Sequence, residues 1–165
     1  MIQTIKMGAT IVIAVSCVYI ALKFNEPEKQ GVLLNIKKAL ERRLSQVAGS
    51  IPTAYEGVEF NPPVNAMYQR TQIIINRPRD PSFPVGYHRE EVQFQVFVCD
   101  IKGQGTTGAL TRAELVRSTF FKGWSTTEGN VLIRSLSTPQ IGSVFITNDR
   151  VIVPVLIDLT CEVNS

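Results

Sequence analysis

Residues 151–163 read VIVPVLIDLTCEV, and every odd position from Val151 to Val163 is apolar (Val151, Val153, Val155, Ile157, Leu159, Cys161, Val163). A period of two sustained over thirteen residues is the signature of a long strand with one face buried. Pro154 lies on the other face, and its missing N–H predicts an edge position or a bulge. Immediately upstream, IGSVFIT (141–147) and the turn residues Asn148-Asp149 complete a hairpin with this strand. The same alternation appears in EEVQFQVFVCD (90–100), where Val92, Phe94, Val96 and Val98 oppose Gln93, Gln95 and Phe97. MYQRTQIIINR (67–77) predicts a third strand with Thr71, Ile73 and Ile75 on one side, and VLIRSL (131–136) a short fourth.

Two segments change period. Leu33, Ile36, Leu40, Leu44 and Val47 recur at helical spacing and predict an amphipathic helix over 32–47, ended by Gly49 and Pro52. Its outer face carries Lys37, Lys38, Glu41, Arg42 and Arg43. A second helix is predicted over 112–122, with Thr111 as N-cap, Glu114 completing a capping box and Leu110 and Leu115 as a hydrophobic staple. Its buried stripe is Ala113, Val116 and Phe120. Helix, strand, loop, strand, helix, short strand and hairpin define an α+β fold: a mostly antiparallel β-sheet packed with two α-helices.

The strand ending at Asp100 runs into KGQGTTGAL (102–110), where Gly103, Gly105 and Gly108 have the spacing G-x-G-x-x-G. A dinucleotide loop needs its third glycine in the first helical turn, a later acidic residue for the ribose, and repeated strand-helix-strand units. Here the capping signals put the helix start past Gly108. RSLST (134–138) offers no acid, and the units do not repeat. The glycines are therefore read as a connection, and no cofactor is expected. His88 is the single histidine and has no nucleophile at suggestive spacing. The cysteines Cys17, Cys99 and Cys161 are odd in number and form no C-x-x-C, so buried or half-buried thiols are expected and no metal site. The formal charge of +3 falls to +1 over residues 25–165, with 15 Lys+Arg and 14 Asp+Glu, too low for a general nucleic-acid binder. These features exclude the common enzyme classes and small-molecule substrates.

The chain divides into three parts. Residues 1–24 hold an uncharged stretch, MGATIVIAVSCVYIAL (7–22), readable as a packed extension or as a membrane anchor. NEPEKQG (25–31) is a linker, and 32–165 is the α+β domain. Within it, PRDPSFPVGYHR (78–89) is a proline-stiffened loop of the kind that reaches partners.

Several ordered motifs resemble the bacteriophage tail terminator-like proteins. Thr53, Ala54, Tyr55, Glu56, Phe60, Pro62 and Pro63 match a "TAYEN-x-x-F-x-P-P" stretch. Tyr87, Arg89, Phe94, Gln95 and Val96 match a second motif, and Val153, Pro154 and Val155 a closing "V-P-V". The resemblance covers about residues 32–163. Gly57 stands where Asn is common and Glu91 where Gly is common, and residues 1–24 have no counterpart. The resemblance implies a non-enzymatic virion protein, assembled in the host cytoplasm and sited in the tail at the head–tail junction. It would form a ring, usually hexameric, that caps the tail tube, with the tube protein, the head-side connector or stopper protein and DNA passing through the lumen as partners. Under that reading Lys37, Lys38, Arg42 and Arg43 face a neighbouring ring or DNA, and Arg77, Arg79, Phe83, Tyr87 and Arg89 in and beside the proline loop reach a partner. The competing reading is a membrane-anchored protein with a cytosolic α+β domain.

Overall fold

A computed structural model describes residues 31–79 and 87–164. Residues 1–24, most of the linker and Phe83 lie outside the described residues, as does the choice between extension and anchor. Among the described residues no helix is long and apolar enough to cross a membrane.

The elements are α1 (Val32–Ser45), β1 (Thr53–Ala54), β2 (Tyr68–Ile75), β3 (Tyr87–Ile101), α2 (Thr107–Thr119), β4 (Ser125–Glu128), β5 (Val131–Ser135), β6 (Gln140–Ile141), β7 (Phe145–Ile146) and β8 (Arg150–Asn164). They form one eight-stranded sheet ordered β1-β2-β3-β8-β5-β4, with β6 and β7 continuing β5's side of β8. Every pairing is antiparallel except β1 with β2. This is the α+β fold that the periodicities predict.

The alternation in β8 translates directly into burial. All seven odd residues from Val151 to Val163 are buried, and Val153, Val155, Ile157 and Leu159 lie opposite Val98, Val96, Phe94 and Val92 of β3. Both helices cover this face. Ile36, Leu40 and Leu44 of α1 and Ala109, Ala113 and Val116 of α2 close the core. Phe120, at the end of α2, sits 5.7 Å from the Phe94 ring and 5.3 Å from Trp124 in an edge-on contact, joining sheet, helix and the β4–β5 hairpin.

Four expectations are corrected. First, β8 is not at an edge: it is the central strand, paired with β3 along its whole length and with β5, β6 and β7 on the other side. Proline is tolerated because the Pro154 carbonyl accepts from Gly142 N at 2.8 Å, so the missing N–H also faces that side, where strand pairing breaks between β6 and β7. A Cβ on Gly142 would lie 2.8 Å from Pro154 Cγ, so only glycine fits beside the ring.

Second, α2 starts one turn early. Thr106 is its N-cap without a side-chain cap bond, and Leu110 N reaches Thr106 O at 2.9 Å. Thr111, the predicted cap, instead bonds back to Thr107 O at 2.8 Å from inside the helix. Leu110 and Leu115 stay exposed, so no staple forms. Third, α1 ends at Ser45 and its stripe is rotated: Leu33 is 49% exposed, whereas Asn35 and Ala39 are buried. Fourth, β3 begins at Tyr87, so Tyr87, His88 and Arg89 are strand and not loop.

Burial also governs the thiols. Cys99 and Cys161 are free and buried, as expected from composition. Burial, with the Glu90 carboxylate nearby, pushes the Cys161 thiol up to about 12. A raised folded-state pKa means that the native state keeps its proton where the unfolded chain loses it. Stability is therefore unaffected by this group below the ordinary thiol value of 9.0, and falls as pH rises from there toward about 12. Denaturant titrations across that window should show a steeper alkaline loss in wild type than in Cys161→Ala; equal slopes would contradict the assignment.

Candidate interaction surfaces

The α1 basic cluster is largely committed within the domain. Lys37 pairs with Glu41 at 2.9 Å and donates to Glu56 O at 3.2 Å. Arg42 makes a forked pair with Glu128 on β4 at 2.8 and 3.2 Å. Arg43 donates twice to Thr119 O, at 2.9 and 3.3 Å, and lies 5.5 Å from the Trp124 ring centroid. A guanidinium on the last turn of α2 satisfies an orphan carbonyl and complements the helix dipole. Lys38 is half-buried, and Arg42 keeps a side chain that is 61% exposed.

The second predicted set gathers at the start of β3. Arg79 and Arg89 exchange backbone hydrogen bonds at 2.8 and 2.9 Å, and their side chains diverge to Glu91 at 3.0 Å and Glu162 at 3.6 Å. Arg134 also approaches Glu162, at 3.9 Å. His88 pairs with Glu90 at 3.5 Å, and Arg77 is exposed. The two predicted sets occupy different layers, the helices and the sheet, and do not form one patch.

The glycine connection gives no phosphate site despite the corrected helix start, which does put Gly108 in the first turn of α2. The Asp100 carboxylate occupies the place of a Gly108 side chain, with Oδ2 2.7 Å from where a Cβ would be. The helix N-terminus is thus faced by the chain's own acid, which would repel a phosphate. Among the described residues no group of three or more His, Cys, Asp or Glu could hold a metal.

Two buried arginines were missed. Arg112, 5% exposed, donates to Ala48 O and Gly49 O, both at 2.6 Å, and from Nε and Nη2 to Gln69 Oε1, both at 3.2 Å. Gln69 in turn donates to Thr53 Oγ1 at 2.9 Å. One guanidinium thus ties α2 to the chain after α1 and to β1–β2, and burial lowers its pKa. Its signal was in the sequence: Ala109, Arg112, Ala113 and Val116 share one helical face. Arg150, 6% exposed, donates to Ala66 O at 2.8 Å, Val64 O at 3.1 Å and Pro63 O, and lies over the Tyr68 ring at 5.2 Å.

These arginines give the 53–63 motif its role. Thr53-Ala54 pairs with Gln69 and Arg70, Phe60 packs on Tyr68 with centroids 5.5 Å apart, and Arg150 holds the Pro63 end. The motif is a strap along one end of β2. Gly57 has φ +79, a left-handed backbone that glycine and asparagine both adopt, which accounts for Gly where Asn is common.

Beyond the strap, β2 is open. Gln69 N donates to Pro52 O at 2.9 Å, outward, while Asn76 N bonds to Glu91 O at 2.9 Å, inward. By alternation Thr71, Ile73 and Ile75 turn their peptide groups away from the sheet. The strap strand β1 occupies this edge through Arg70 and so takes the Thr71 end, and Glu56 Oε2 reaches Ile73 N at 3.4 Å, which leaves the Ile73–Ile75 stretch as the open part. The sheet face away from the helices mixes polar and apolar side chains: Gln95 donates to Gln93 at 2.6 Å and Gln93 to Asp158 at 2.9 Å, beside half-buried Phe97 and Leu156.

Two helices packed on one face of an eight-stranded, mostly antiparallel sheet place the chain in the α+β class. More particularly, a family model described as "Phage tail terminator protein" matches residues 35–158, and the chain belongs to that family, whose members are structural components of the virion tail. A solved structure superposes with a TM-score of 0.62 at 22% identity, covering 76% of this chain and 92% of its own, a likeness of fold alone. No curated protein matches the sequence.

Proposed function

We propose that this protein assembles into a ring, usually of six copies, that caps the phage tail tube when its length is set and joins it to the head-side connector. Family membership over residues 35–158 carries this reading. Two further features support it. The open β2 edge supplies unpaired backbone groups for intersubunit contact, and a buried core held by internal arginine clamps provides a rigid subunit. Exposed Arg77 and the pair Arg79 and Arg89, beside the proline loop, are the groups offered to a neighbouring tail component, and Arg42 is the basic group of α1 most available to DNA or an adjoining ring. The protein acts by contact, without a cofactor or small-molecule substrate, at the head–tail junction.

Genetic removal tests it. Phage lacking the chain should give tails of uncontrolled length and heads without tails, with both defects restored by the chain supplied in trans. Tails of normal length joined to heads would overturn the reading.

A further inference from the structure

The open edge of β2 has a counterpart elsewhere on the same subunit. Thr147 N donates to Arg150 O at 2.8 Å, toward β8, so alternation turns the peptide group of Ile146 and the carbonyl of Val144 outward. No strand among the described residues pairs with that outer side of β7. Its side chains are unusually apolar for an edge: Val144 is 38%, Phe145 42% and Ile146 62% exposed. On the β2 edge, Ile74 is 36% and Ile75 44% exposed, beside a partly buried Ile73. Soluble proteins blunt such edges with charge, proline or a covering element; the described residues place none of these on the β7 run, and the β2 run has only the long Glu56 contact on Ile73 N.

We infer that the β7 edge of one copy pairs antiparallel with the β2 edge of the next, continuing the sheet from subunit to subunit. The inference rests on the ring reading above and names its contact surfaces. One register satisfies two independent conditions. Setting Ile146 opposite Ile73 and Val144 opposite Ile75 matches outward peptide groups with outward peptide groups. The faces also agree: Ile73 and Ile75 lie level with Phe94 and Val92 on the helix-covered face, and Ile146 is level with buried Val151 on the same face. Phe145 then meets Ile74 on the opposite face, so all three cross-strand pairs are apolar. The incoming carbonyl replaces the long Glu56 contact on Ile73 N. Because the two edges differ, the contact is head-to-tail, the kind that closes rings and not symmetric dimers.

Disulfide trapping tests the register in the full-length chain. Ile74 and Phe145 form a non-hydrogen-bonded pair in it, the geometry in which cross-strand Cα atoms lie closest. The double variant Ile74→Cys, Phe145→Cys, made on a Cys17→Ser background and oxidised with copper phenanthroline, should give a ladder of covalent oligomers ending at the ring size. Either single variant should remain monomeric on the same gel. In parallel, Ile75→Pro removes one outward N–H, which an edge strand tolerates; its melting curve should match wild type while its ring fraction falls at least tenfold. An uncross-linked double variant together with rings of Ile75→Pro would overturn the edge pairing and leave the ring reading standing. Dimers from Ile74→Cys alone would overturn it in favour of β2 self-pairing. Wild-type protein that is monomeric both in solution and in intact particles would sink the ring reading itself, and this inference with it.

Discussion

Phe120→Ala lowers the unfolding free energy by about 3–5 kcal/mol, the range for emptying a phenylalanine site that cannot collapse. Collapse is resisted on three sides. Phe120 is fully buried between Phe94 on the sheet and Trp124 just ahead of β4, and its own backbone N–H bonds to Val116 O at 3.2 Å, closing α2. The Ser135 hydroxyl donates to Phe120 O at 3.2 Å, fixing β5 to the same point. The helix end, a core strand and the hairpin would therefore all border the cavity. A small domain has on the order of 5–15 kcal/mol in total, so the variant retains little stability and shows a large fall in denaturant midpoint with an unchanged slope. A loss below about 1 kcal/mol would mean that the ring is not the joint between the helix layer and the hairpin.

The second large effect is at Arg112. Replacement by Ala removes four hydrogen bonds at once and leaves Ala48 O, Gly49 O and the Gln69 side chain without their donor. Hydrogen bonds to charged groups contribute about 1.5–3 kcal/mol each, but water entering the vacated site recovers part of that, so the expected net loss is about 3 kcal/mol. Arg112→Met, which keeps the apolar stem, separates packing from hydrogen bonding. It should lose nearly as much as Ala if the fork matters more than the stem. Arg112→Lys should recover little, because an ammonium cannot span two carbonyls and an amide. Full stability in the Lys variant would contradict the clamp.

Much of this architecture was legible because it depends on side-chain period. The odd residues of β8, the Val92–Val98 series of β3 and the Ala113, Val116 and Phe120 stripe are all buried as their spacing requires. What was not legible depends on which neighbour a backbone group faces. Pro154 marks an interruption in one partner's arm and not an edge, a distinction set by the direction of a missing N–H. The start of α2 was misplaced because Thr106 caps it without a side-chain bond, while Thr111 carries the residue pattern of a cap without its geometry. β4 was overlooked although Gly129-Asn130 is a two-residue hairpin loop, with Gly129 at φ +58, joining two short strands. β1 has two residues, too few for any period to register, whereas the hairpin arm predicted over 141–147 is found as β6 and β7, paired with β8 around Asn148-Asp149.

The interaction surface was harder to read for a related reason. Charge in a sequence carries no record of its partner. Arg42 and Arg43 look like a free basic cluster, yet one is forked onto Glu128 and the other closes α2. Arg112 and Arg150 look like ordinary surface residues in alternating or helical runs, yet they are buried and hold the strap around β2. The open edge of Ile73–Ile75 is invisible to residue type altogether, since it is made of peptide groups whose direction follows only from the β2–β3 register.

Electron micrographs of the purified full-length protein, paired with a copy count per virion, test the central claim most directly. The account predicts rings of constant diameter and a copy number equal to the subunits in one ring. Particles that are infectious with a single copy or none, from protein that never forms rings, would contradict it.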